Sequence, residues 1–114
     1  MSSHDKKAIE ARIDERIHET LEYWIEQLGR LCAQPSISAQ HLGIDECAHL
    51  TATMLNEQGF AAEILPTGGS PIIYGERGGQ SERTLLFYNH YDVQPPEPLE
   101  LWDSPPFTLT RVGD

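Results

Sequence analysis

The hydrophobic period of this chain changes once, at Gly59, and that change limits the folds open to it. Before Gly59 apolar residues recur every three or four positions, as on a helix. After it they alternate or run together in short blocks, as in strands. Ile9, Ile13, Ile17, Leu21, Trp24, Leu28 and Leu31 fall within an arc of about 120° at about 100° per residue. Their spacing predicts a helix over 6–33, with Glu10, Arg12, Asp14, Glu15, Arg16 and Glu19 on its solvated side. A coiled-coil seam is the competing reading. The stripe lasts little more than three heptads and includes Trp24, so packing on a sheet is preferred. Pro35 ends the helix, because the residue before a proline is pushed out of the α region.

A second helix is expected over 45–58, with Asp45 as N-cap, Gly59 just past its end, and Cys47, Leu50, Met54 and Leu55 buried. Strands are expected over 60–65, 71–75 and 84–89, separated by Pro-Thr-Gly-Gly and Gly-Gly turns. The third is the most apolar and suits a sheet interior. Helix, helix and three strands read as the front end of an α/β domain. Two helices cover at most one face of such a sheet, so more chain is expected after it.

Composition removes several classes of function. With 39% hydrophobic and 23% charged residues, the chain is not built for pervasive disorder. A net charge of -10 argues against nucleic acid and against an anionic membrane surface as partners. The first seven residues, Met1 to Lys7, are followed by no apolar core, so they do not read as a secretory signal. No run approaches the roughly 20 apolar residues of a membrane span. Cys32 and Cys47 have neither metal-clip nor thioredoxin spacing and read as reduced thiols, which points to the cytoplasm.

The chemistry gathers after the third expected strand. His90 and Asp92 are two apart, so on an extended backbone they project to the same side. An imidazole beside a carboxylate serves either as a metal ligand with its other ring nitrogen oriented, or as the base of a nucleophilic triad. The triad is poorly supported: Ser36, Ser38, Ser70 and Ser81 sit in loops, and none lies in a Gly-x-Ser-x-Gly elbow. His-x-Asp alone is also met as a plain polar strand end. The rigid loop expected over 93–107 adds weight. Pro95, Pro96 and Pro98 fix φ at three positions, and Trp102 and Phe107 flank Ser104-Pro105-Pro106 as apolar anchors. His18 and His49 read as surface or satisfied histidines.

These residues carry a resemblance. The apolar strand, His90-Tyr91-Asp92-Val93-Gln94-Pro95, Trp102 and Ser104-Pro105-Pro106-Phe107 resemble the first metal-binding motif of the di-metal exopeptidases and aminoacylases. That family includes carnosinase, cytosolic non-specific dipeptidase, glutamate carboxypeptidase and succinyl-diaminopimelate desuccinylase. The long first helix and the Pro35-Ser36-Ile37-Ser38 loop fit as well, and Tyr-Asp-Val-Gln-Pro looks closest to the dipeptidase branch.

The resemblance implies the N-terminal part of a helix-flanked mixed β-sheet catalytic domain of the zinc-exopeptidase type, with residues 1–114 as its first segment. It implies that His90 binds one of two Zn²⁺ ions, with Mn²⁺ or Co²⁺ as alternatives, and that Asp92 supports that site. The implied substrate is a small peptide, cleaved by metal-activated water. An aminoacylase acting on N-acyl amino acids is the alternative within the family. A non-catalytic binding or dimerisation module is the alternative outside it. The family's bridging aspartate, catalytic glutamate and lid domain, through which members dimerise, have no counterpart in this sequence. Asp114 matches a turn aspartate, not the bridging ligand. These 114 residues alone are therefore expected to be inactive.

Overall fold

One serine and one aspartate decide where the first helix begins. The computed structural model describes residues 2–113, and Asp114 lies outside the described residues. Ser2 Oγ accepts the Asp5 backbone N–H at 3.1 Å, and Asp5 Oδ2 accepts the Ser2 backbone N–H at 2.9 Å. This reciprocal capping box satisfies donors that a helix start leaves free. Helix α1 therefore spans Ser3–Cys32 and begins three residues before the expected start at Lys6.

The apolar stripe of α1 is not laid on a sheet. Ile9, Ile13, Ile17, Leu21, Trp24 and Leu28 are each 44–55% exposed, and Leu31 alone of the seven is half-buried. Contacts fall on the C-terminal half. Arg30 makes a two-pronged ion pair with Glu57 at 2.7 and 3.3 Å, and Gln58 donates to the Tyr23 hydroxyl at 2.9 Å. Leu109 sits against Gly29, and Arg111 reaches Glu22 at 3.0 Å.

Helix α2 spans Ile44–Glu57. Its N-cap is Gly43, with φ 70°, rather than the expected Asp45. Asp45 instead joins Glu46 in the first turn, where a carboxylate complements the helix dipole without capping. Gly43 holds that place because the chain comes very close to itself: a Cβ here would stand 2.0 Å from the Pro35 carbonyl oxygen. Cys47, Ala48 and Ala52 are the buried residues of α2. Leu50, Met54 and Leu55, expected in the core, are half-buried. Small side chains on the inner face let neighbouring backbone approach. His49 is exposed.

Strands β1 (Ala61–Leu65) and β2 (Ile72–Glu76) form an antiparallel pair with Glu63 opposite Tyr74. Ala62, Ile64, Ile73 and Gly75 are the half-buried positions, and both strands lie against α2. The alternation is that of a sheet covered on one face. The architecture is α/β, with one helix layer on one small sheet.

The expected third strand, 84–89, does not form: the sheet among the described residues has two strands, and both belong to the β1–β2 pair. Leu85, Leu86, Phe87 and Tyr88 are 80–89% exposed. A strand exists through its ladder, and no backbone of β1 or β2 pairs with this segment. No helix among the described residues is long and apolar enough to cross a membrane.

Candidate metal-ligand site

His90 and Asp92 were expected at the mouth of a strand, but a different element holds them. The loop after α1 folds back on itself: Ile37 and Leu42 exchange backbone hydrogen bonds at 2.8 and 3.1 Å. The outer edge of this loop pairs in parallel with the chain at Val93. Val93 N–H donates to the Ser36 carbonyl at 2.9 Å, and Ser36 Oγ donates to the Tyr91 carbonyl at 2.7 Å. Ser36 and Ile37 are both buried at 3% exposure. Polar groups at such depth need partners, and these have them.

That pairing brings Ser38 to Asp92. Ser38 Oγ donates to Asp92 Oδ2 at 2.6 Å, the short distance of a charge-assisted bond. On the other side, His90 Nδ1 lies 2.9 Å from the Asp92 carbonyl oxygen and 3.3 Å from Oδ1. The hydrogen bond from Ser38 is the main reason the Asp92 carboxyl sits below its ordinary value. Partial burial opposes that shift, while the His90 ring adds to it. Asp92 is accordingly ionised at neutral pH.

Tyr91 ties the segment to the sheet. Its hydroxyl donates to the Pro71 carbonyl at 2.7 Å, just before β2. Burial, followed by the nearby Cys47 and the carboxylates of Asp45 and Asp92, pushes its pKa up and keeps it a donor. The following loop carries a short helical turn at Leu99–Leu101. Trp102 is half exposed at 49%, and Phe107 is half-buried.

The arrangement suits one metal ligand. An imidazole whose Nδ1–H points at a carboxylate and a carbonyl keeps its lone pair on Nε2, the usual state of a ligating histidine with an oriented ring. His90 is 78% exposed, so that ring is open to a ligand. Among the described residues no three His, Cys, Asp or Glu side chains come together as a metal-binding group, whereas catalytic zinc takes three protein ligands as a rule. His90, with Asp92 beside it, thus has the donor chemistry for one position of a metal shell.

The sequence singles out His90 and Asp92 but not the serines bonded to their segment. From the sequence Ser36 and Ser38 stand as poorly supported nucleophiles and as part of a loop that fits the resemblance, with no link to Asp92. The available signal was their spacing of two, which puts both hydroxyls on one side of an extended strip.

Known proteins are similar to this chain in sequence and in shape. No protein-family model matches the chain. Succinyl-diaminopimelate desuccinylase from Bordetella avium is 38% identical over 81 residues, covering 71% of this chain and 20% of the relative. The enzyme of the same name from Acidovorax ebreus is 36% identical over 93 residues, covering 72% of this chain and 23% of its own. The crystal structure of an M20 family metallo-carboxypeptidase from Sulfolobus solfataricus superposes with a TM-score of 0.70 at 39% identity. That match covers 82% of this chain and 21% of the other. The chain spans about a fifth of the length of the relatives it matches.

Proposed function

Because this chain belongs to the M20 family of metallo-hydrolases, we propose that residues 1–114 are the N-terminal segment of a catalytic domain that cleaves dipeptides or short peptides with two metal ions. His90 is a ligand to one of them, and Asp92 is the carboxylate that orients it. One observation carries the assignment: His90 Nδ1 lies within 2.9 Å of an acceptor on Asp92, which leaves Nε2 open.

Zinc is the metal that imidazole and carboxylate ligands suit, with Mn²⁺ or Co²⁺ as substitutes. When bound, a pair of such ions polarises the scissile carbonyl and lowers the pKa of water. The part played by this chain is narrower. Asp92 stays ionised, its carbonyl accepts the hydrogen bond from Nδ1–H, and its carboxylate at 3.3 Å stabilises positive charge at the ring. The ring in turn is held at one orientation. The general base and remaining ligands belong to family segments with no counterpart in these residues.

A second reading has its own support. The relatives named above are desuccinylases, which favours an N-acyl amino acid as substrate, while the structural neighbour is a carboxypeptidase. The proposal further places the protein in the cytoplasm, supported by the unpaired Cys32 and Cys47, and has it dimerise through a lid domain.

The test compares the longest natural product of the gene with its His90→Ala variant. Metal content by atomic emission is expected to fall, and hydrolysis of dipeptides with it. Full metal content and full activity in the alanine variant would refute the role given to His90. Turnover of N-succinyl amino acids in preference to dipeptides would select the second reading.

A further inference from the structure

We propose that Ser38 is a positioning residue for His90, acting through Asp92: its hydroxyl holds the carboxylate so that the imidazole carries its proton on Nδ1 and presents Nε2 outward. This deepens the reading of His90 as a metal ligand and rests on it for its purpose, though not for its geometry.

Asp92 is 46% exposed in its side chain, and a half-exposed carboxylate is free to turn toward water. Two contacts prevent that. Oδ2 is taken by Ser38 Oγ at 2.6 Å, and Oδ1 is left facing His90 Nδ1 at 3.3 Å, beside the Asp92 carbonyl oxygen at 2.9 Å. The two carboxylate oxygens therefore have separate jobs, one anchored and one presented.

The anchor is itself fixed by backbone. Ile37 pairs with Val93, and the Ser36 and Val93 hydrogen bonds set the register of that pairing. Ser38 reaches Asp92 across 54 positions of sequence because of it. Ser38 is half-buried and bonds Oδ2, the carboxylate oxygen that is not the one near the ring. Its effect on a ligand of His90 is therefore indirect. Partners placed one contact beyond a metal ligand commonly change affinity by about 10–100-fold through ring orientation and tautomer.

A merely structural Ser38 would steady the loop and leave the tautomer alone, and this difference can be measured. The 114-residue chain without metal is labelled at histidine, and the ring nitrogens of His90 are read by NMR at about pH 8, above the ordinary imidazole value near 6.5. In the unsubstituted chain the Nδ1–H form should predominate. Ser38→Ala should shift the population toward Nε2–H. Ser38→Thr, which keeps the hydroxyl, should restore it. Amide shifts of Ser36 and Val93 report that the loop stays docked in each variant.

A docked Ser38→Ala chain with an unchanged His90 tautomer would overturn the proposal. So would an Nε2–H tautomer in the unsubstituted chain, whatever the variants do, which keeps the test decisive even if the alanine variant fails to fold. Because no metal is present, this result is separate from the metal content of His90→Ala. Either outcome can fail while the other stands.

Discussion

Two adjacent stretches of this chain are treated in opposite ways. Leu85 to Tyr88 is the most apolar run in the molecule and lies 80–89% exposed. Tyr91 to Val93, three residues further on, is pinned by bonds from Ser36, Ser38 and Val93 and by the Tyr91 hydroxyl. Hydrophobicity is plentiful in the first stretch and modest in the second. What differs is whether backbone and side-chain polar groups find partners. Burial of an extended segment requires its amides to be satisfied, so apolar side chains stay in water until a ladder is supplied. The second stretch has its ladder, built from a loop instead of a strand.

The strongest way to break this contrast is at Gly43. Its φ of 70° and its 2.0 Å approach to the Pro35 carbonyl, measured from an added Cβ, leave no room for a side chain. A left-handed conformation costs an L-residue about 1–2 kcal/mol before any clash. Gly43→Ala adds a backbone collision to that and falls among the rare substitutions above about 4 kcal/mol. The expected outcome is loss of the docked 36–38 loop, read as collapse of amide protection at Ile37 and Val93. If protection at those two amides survives, the loop is not held by this close approach.

The opposite change tests the other half of the comparison. Leu86→Ser with Phe87→Ser alters two large apolar residues at 89% and 80% exposure. Surface changes of this kind stay within about 0.5 kcal/mol each, so the denaturation midpoint should barely move. Self-association should fall, because the pair sits in a contiguous exposed apolar run of the sort that sticks. Sedimentation velocity at increasing concentration checks this. A large destabilisation would show that the segment is buried in solution.

What could be read from the sequence follows the same division. Helix α2 and the β1–β2 pair were legible because their periods are set by burial against each other: half-buried Ile64 and Ile73 face each other across the ladder. Asp45 looked like a cap and is not, because a tertiary contact between Pro35 and Gly43 chose the helix start. The strand expected over 84–89 was read from apolarity alone, and apolarity does not supply a neighbour. The α1 stripe failed for that reason too, since Ile9 to Leu28 are half exposed with no sheet beneath them. His90 and Asp92 were singled out because their chemistry is local. Ser38 was not, because its partner lies 54 positions away.

The smallest effect sharpens the lesson at the far end of α1, where polar pairing and an open apolar stripe again sit side by side. Asp5 accepts from the Ser2 side chain and, secondarily, from the Ser2 backbone, and both hold its carboxyl below the ordinary 3.8. A carboxylate depressed in the folded state contributes stability that is fully present above the unfolded value. That contribution is lost as pH falls below 3.8 and through the depressed value. The first turn of α1 should therefore fray in that acid window while α2, whose cap has no side-chain bond, keeps its own start. Amide exchange near Asp5 is the measurement, and Ser2→Ala should produce the same fraying at neutral pH. Unchanged exchange in either case would mean that the capping box does not fix where this helix begins.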